Sequence, residues 1–147
     1  MDAPHWNRSQ KYHRRERFLY ALVFHDVRRF VYIGQSVDPD RRFAEHCSKG
    51  WGRRPFHMVV LGSMRGTQAE AEDWEHGYRQ AAAWWGWGVY GLPPGIVIRH
   101  VHRQMTPRRT RLAWRLWWGF SGALKRGRRL NQPEPPVPRK RRWWWPF

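Results

Sequence analysis

The stretch Phe18-Leu19-Tyr20-Ala21-Leu22-Val23-Phe24, then Phe30-Val31-Tyr32-Ile33-Gly34, then Asp38-Pro39-Asp40-Arg41-Arg42-Phe43-Ala44-Glu45-His46 decides how this chain is read. The first two runs are rich in aromatic and branched residues, and the polar segment 25–29 between them is a turn, so they read as a β-hairpin. If Phe24 pairs with Phe30, Tyr20 faces Gly34 and Tyr32 faces Leu22. Side chains alternate along a strand, so both tyrosines then leave the same face as diagonal neighbours. A one-residue slip would separate them. Asp38-Pro39 opens a helix, with Asp as N-cap and Pro at N1, where its missing N–H costs nothing. That helix is expected to run to about Ser48, with Gly50 ending it. Arg42 and His46, four residues apart, share one of its faces. Cys47 reads as core beside Phe43.

Outward from there, 56–61 reads as a third strand. Thr67-Gln68-Ala69-Glu70 is a capping box. It starts a helix whose Ala71, Trp74, Tyr78 and Ala82 recur at helical spacing. The order β-β-α-β-α implies an α+β fold: a small three-stranded antiparallel sheet with flanking helices.

These residues resemble the GIY-YIG endonuclease family over about 18–80. Tyr20 ends the first motif, eleven residues intervene, and Tyr32-Ile33-Gly34 matches the second in full. Arg42 stands eight residues after Gly34, where the family has its catalytic Arg, and His46 follows one helical turn later, as in the homing-enzyme branch. The run 67–76 is similar to the excision-repair version, which puts the metal-binding Glu at Glu75. The resemblance implies hydrolysis of phosphodiester bonds in DNA with Mg²⁺ or another divalent cation on Glu75. It makes Tyr20, Tyr32, Arg42 and His46 the catalytic set, with Tyr20 as general base. Elementary chemistry agrees with those roles. A guanidinium fork suits phosphate oxygens, and a Tyr base, with its ordinary pKa near 10, needs positive charge close by. The sequence departs from the family twice. The first motif is Phe18-Leu19-Tyr20, and 83–87 supplies no Asn where the family has one. A catalytically weak or inactive nucleic-acid-binding module of the same fold is therefore the alternative. Glu75 and Arg79 also read as a surface pair at i and i+4.

Charge is placed unevenly. The 147 residues carry a net charge of +17, which excludes a neutral globule without a polyanionic partner and points to nucleic acid or an anionic membrane surface. Residues 1–84 hold 14 basic and 10 acidic side chains, residues 85–147 hold 14 and one, and eight of the twelve Trp fall in the second part. The chain thus divides into a basic arm over 1–17, a nuclease-like domain over 18–88, a basic extension over 89–130 and a disordered Pro/Arg/Trp tail over 131–147. Thr106-Pro107 opens a helix that Gly127 stops. Its apolar stripe is Ala113, Leu116, Trp117, Phe120 and Leu124, and its basic stripe is Arg108, Arg111 and Arg115. Those arginines, with Arg139, Lys140, Arg141 and Arg142 of the tail, are the candidate phosphate contacts. The same helix and tail suit an anionic membrane surface, because Trp with Arg is an interfacial signature. The alternation over 96–102 reads as a strand with His100 and His102 on one face.

No small-molecule cofactor is expected, since the sequence has neither a Walker loop nor a dinucleotide fingerprint. Cys47 is the only cysteine, which excludes an intramolecular disulfide and fits a reducing compartment. The longest apolar run is far short of the about 20 residues that span a bilayer. The N-terminus lacks an apolar signal region. A cytoplasmic location is the expectation.

Overall fold

A computed structural model describes residues 12–91 and 94–133. The elements are β1 (Arg15–Phe24), β2 (Phe30–Ser36), α1 (Pro39–Ser48), β3 (Phe56–Gly66), α2 (Gln68–Trp84), β4 (Gly88–Tyr90), a 3₁₀ turn (Val101–Gln104), α3 (Pro107–Arg126) and β5 (Arg128–Asn131). The α+β class is as expected. The sheet, however, has five strands in the order β4-β2-β1-β3-β5 rather than three. It is mixed rather than antiparallel: β4 pairs parallel to β2, and β5 antiparallel to β3. Both added strands are short: β4 is Gly88-Val89-Tyr90, and β5, Arg128-Arg129-Leu130-Asn131, is mostly polar. They join because β2 and β3 would otherwise leave open edges, which unpaired backbone groups make unfavourable.

The hairpin register is the one the sequence implies: Tyr20 lies opposite Gly34 and Leu22 opposite Tyr32. Alternation from that register sends Leu19, Ala21, Val31 and Ile33 to one face, against Tyr78 and Ala82 of α2 and Phe120 of α3. Tyr20, Leu22, Phe24 and Tyr32 go to the other face, against Phe43 of α1 and Trp51. The result is three layers with β1 at the centre. Between β1 and β3 the register shifts at Leu19/Tyr20, a bulge that leaves Leu61 unpaired beside Tyr20 and re-aims the strand there.

Both helix starts are formed as read. Asp38 accepts from the Arg41 N–H, and Thr67 and Glu70 make the reciprocal box. In the α2 stripe Ala71, Tyr78 and Ala82 are buried, and Trp74 is partly buried. Cys47 packs half-buried at the edge of the Phe43 cluster.

Several boundaries move. Of the arm expected over 1–17, residues 15–17 belong to β1, which begins at Arg15 and pairs with a β3 that continues to Gly66. Ladder hydrogen bonds are made by the backbone whatever the side chains, so polar residues are drawn into both strands. Residues 96–102 do not form the expected strand. Only Val97 bridges to Tyr90, and the 3₁₀ turn starts at Val101, which is buried in the helix-side core. The basic extension over 89–130 is built into the same layers. Thr106 caps α3 and Gly127 ends it as read. Leu112, Ala113 and Phe120 are buried, and Phe120 has no exposure at all. Of the tail expected over 131–147, Asn131 lies in β5 and Gln132 accepts from the Phe56 N–H at 2.9 Å. Arg139, Lys140, Arg141 and Arg142 lie outside the described residues. A protein cut after Gln104 would lose Phe120 from the core it shares with Tyr78 and Ala82 of α2. Among the described residues no helix is long and apolar enough to cross a membrane.

Candidate active site

The hairpin register and one face of α1 bring four of the five sequence-derived residues together on the sheet face opposite α3. The Tyr20 and Tyr32 rings lie 6.4 Å apart. The Tyr20 hydroxyl is 2.8 Å from His46 Nε2, and the His46 ring is 5.4 Å from that of Tyr32. Arg42 sits one turn before His46, close enough to both phenols to oppose their pKa shifts.

Gly34 is what lets Tyr20 lie where it does. A Cβ on Gly34 would stand 2.5 Å from the Tyr20 oxygen and 2.7 Å from its Cζ. The Gly of the Tyr-Ile-Gly run is thus a requirement of close approach. Tyr20 is fully buried, so its ring has no room to yield. Gly34→Ala is expected to lose about 1–3 kcal/mol of stability through overpacking and to displace the hydroxyl from His46. A urea titration superimposable on that of the natural protein would contradict this.

Glu75 approaches from α2. Its Oε1 is paired with Arg79 Nη2, and the side chains are only 15 % and 11 % exposed. The pair expected at the surface therefore forms, but as a buried one. Arg79 also donates to the Ile33 carbonyl at 3.4 Å. β4 pairs with β2 only over Phe30, Val31 and Tyr32, and Arg79 of α2 reaches the β2 backbone just beyond, at Ile33.

Burial sets the protonation states. It raises Tyr20 far above the ordinary phenol, and Tyr32 adds to that shift while Arg42 opposes it. Tyr32 is raised too, by burial and then by Glu75. His46 is pushed down to about 4 by burial and by the Arg42 charge, so it is neutral at pH 7. Glu75 is raised by burial against the pull of Arg79. In the free protein, then, the cluster holds two neutral phenols, a neutral imidazole, a carboxyl and two guanidiniums. Arg42 Nε and Arg79 Nε are buried donors without a hydrogen-bond partner. Such donors are uncommon, and a phosphate oxygen is the ligand that suits them.

A polar cleft of about 330 Å³ opens beside Arg42, lined by Arg17, Gln35, Ser36, Asp38, Arg42 and Gln68. A more apolar cavity of about 380 Å³ lies on the helix side, lined by Val23, Arg29, His57, Trp87, Leu124 and Lys125. The second holds none of the clustered groups, and the first holds Arg42 alone of them.

Glu75 is the one carboxylate that acts electrostatically on both Tyr20 and Tyr32. Among the described residues no group of three His, Cys, Asp or Glu side chains could cage a metal by itself. Mg²⁺ is commonly held by one or two carboxylates plus waters and substrate phosphates. Glu75, whose Oε1 pairs with Arg79, is the carboxylate of the cluster that could share a cation with a substrate phosphate.

The candidate phosphate contacts on α3 divide. Arg108 is engaged by Glu70 at 3.7 Å and Asp73 at 3.5 Å. Arg111 and Arg115 are exposed and have no carboxylate partner among the described residues. They line a groove with Trp74 and Leu112.

Sequence reasoning missed Trp51, whose indole Nε1 donates to His46 Nδ1 at 3.0 Å. Gly50 and Gly52 on either side both take positive φ, 92° and 64°, and turn the chain so that the indole enters the cluster. The Gly-Trp-Gly run five residues after His46 was the available signal. Arg17, placed in the arm, is also buried, and its Nε donates to the Gly66 carbonyl at 3.0 Å.

No family model matches the chain, and no curated protein or solved structure matches it.

Proposed function

We propose that this protein is a metal-dependent endonuclease of the GIY-YIG type that hydrolyses phosphodiester bonds in DNA. One observation carries the reading. Two tyrosines, an arginine and a neutral histidine from three elements converge around Gly34, which has no room for a side chain. An ordinary pair of strand aromatics does not need that glycine, nor the buried unpartnered donors of Arg42 and Arg79.

The residues divide the work as follows. Arg42 binds the scissile phosphate and meets charge that grows in the transition state. Tyr20, once ionised, takes the proton of the attacking water. Tyr32 packs against Tyr20 and His46 and holds both rings in place. Glu75 would hold the divalent cation, which when bound supplies Lewis acidity at the phosphate. Incubating the purified protein with supercoiled plasmid, in Mg²⁺ and in EDTA, tests this. Nicked circles in Mg²⁺ alone are expected, and intact plasmid in both overturns the reading. The Glu75–Arg79 pair and the raised Tyr20 favour the second reading, an inactive module that binds nucleic acid through the same fold. Intact plasmid with retained DNA binding would establish it.

DNA is held in part by α3, whose outer side carries Arg111 and Arg115 with Trp114 and Trp118, 59 % and 79 % exposed. A membrane-surface helix needs its apolar face free, and here Leu112, Ala113 and Phe120 are buried against the body of the protein. With about five to seven phosphate contacts, log affinity should fall against log salt with a slope of about −5 to −6. Replacing Arg111 and Arg115 together by alanine should flatten that slope by about 1.8, at roughly 0.9 per contact, while both substitutions leave the fold untouched. Fluorescence anisotropy across a salt series measures it. An unchanged slope removes these two arginines from the interface, and strong co-sedimentation with anionic vesicles would favour the membrane instead.

A further inference from the structure

The indole N–H of Trp51 can only donate. It points at His46 Nδ1 from 3.0 Å. Nδ1 must therefore be the unprotonated nitrogen, and a neutral imidazole then carries its proton on Nε2. Nε2 is the atom 2.8 Å from the Tyr20 hydroxyl. The direction of that second bond follows: His46 Nε2–H donates and the Tyr20 oxygen accepts. The imidazolium is disfavoured for the same reason, because it would set an Nδ1–H against the indole N–H.

We propose that Trp51 is a positioning residue that fixes His46 as a donor to Tyr20, so that the histidine stabilises the Tyr20 oxygen as it becomes anionic and takes no proton from it. The assignment rests on the nuclease reading for its purpose, but the tautomer itself does not. Tyr20 loses its hydroxyl proton to water that enters with the substrate, and the tyrosinate is held by the His46 N–H and the nearby Arg42 charge. It then takes a proton from water as the water oxygen bonds to phosphorus. The bond from phosphorus to the leaving oxygen breaks, and that oxygen is protonated by solvent. Trp51 is held for this task from several sides. Its ring lies 4.9 Å from Phe24, 5.3 Å from Tyr32 and 5.7 Å from Tyr90.

The groups that face His46 are Tyr20 from β1, Tyr32 from β2, Arg42 from its own helix and Trp51 from the following turn. Glu75 and Arg79 of α2 face the tyrosines behind them. Burial and Arg42 remain when Trp51 is changed to phenylalanine, so the difference between the two proteins isolates the indole N–H.

The test is ¹⁵N NMR of the His46 ring in the metal-free full chain, for the natural protein and for Trp51→Phe. At pH 7 the natural protein should give a bare Nδ1 and a protonated Nε2. Its His46 should titrate near 4. Losing a hydrogen bond to the neutral form raises a base's pKa, so Trp51→Phe should move that midpoint upward by about one unit. In parallel, loosening the His46 Nε2–H donor should raise the Tyr20 pKa by about one unit, so plasmid nicking should slow by about tenfold at pH 7. A protonated Nδ1 in the natural protein overturns the proposal. So does an unmoved midpoint in the variant. Should Trp51→Phe fail to fold, the tautomer of the natural protein decides alone. A natural protein that shows the Nε2–H tautomer and cuts no DNA upholds the hydrogen-bond chain and defeats the nuclease reading, so the two failures are distinct.

Discussion

Glu75→Gln is expected to slow plasmid cleavage by about 10³-fold and to leave DNA affinity unchanged. Lewis-acid stabilisation of a phosphoryl oxygen contributes several kcal/mol, and each 1.36 kcal/mol is about a factor of ten in rate. Binding is expected to be spared because the proposed phosphate contacts, Arg111 and Arg115, lie on another element. Glutamine is the informative replacement. Glu75 and Arg79 are a buried pair, 15 % and 11 % exposed. Removing the whole carboxylate with alanine would strand the Arg79 guanidinium at a cost of about 3–5 kcal/mol, and a loss of activity would then mix folding with catalysis. Glutamine keeps an oxygen for Arg79 and removes the charge. Single-turnover cleavage over a Mg²⁺ series, with thermal melts alongside, measures both effects. Cleavage at the natural rate by a folded Glu75→Gln protein would take the metal role away from this residue and leave it as the counter-ion of Arg79.

Arg42→Ala should cost at least about 10²-fold in the cleavage step, the scale on which one transition-state charge stabiliser acts. The site supports a role beyond the surface pairing that Arg42 makes with Glu45 at 3.6 Å. Its Nε is buried without a partner, and its charge acts on both tyrosines. Arg42→Lys separates two explanations. A point charge would preserve the electrostatic pull on the phenols, whereas the planar fork that grips a phosphate would be lost. If Lys restores most of the rate, Arg42 works by charge. If it does not, the two-pronged contact is what matters. Unchanged kinetics in the alanine protein would return Arg42 to the solvated face of α1.

The sequence by itself determined the parts that local rules govern. The hairpin register followed from the paired apolar runs, and with it the shared face of Tyr20 and Tyr32, because strand alternation leaves no other choice once the turn is located. The starts of α1, α2 and α3 were written in Asp38-Pro39, the Thr67–Glu70 box and Thr106-Pro107, since capping satisfies backbone groups within a few residues. The i, i+4 placement of Arg42 and His46 came from helix geometry alone. Only the tertiary structure decided the rest, and each case turns on partners distant in sequence. β4 is too short, and β5 too short and too polar, to read as strands, and they form because β2 and β3 offer them open edges. The extension over 89–130 looked separable because its composition changes, yet Phe120 is buried against Tyr78 of α2, and composition does not encode which apolar face meets which. Trp51 became part of the site because two positive-φ glycines turned its indole toward His46. Glu75 met Arg79 as the sequence suggested, but their burial depended on how α2 lies along the edge of β2. Protonation states belong to the same class. Burial by all the layers together raises the two phenols and lowers His46, and no stretch of sequence carries that sum.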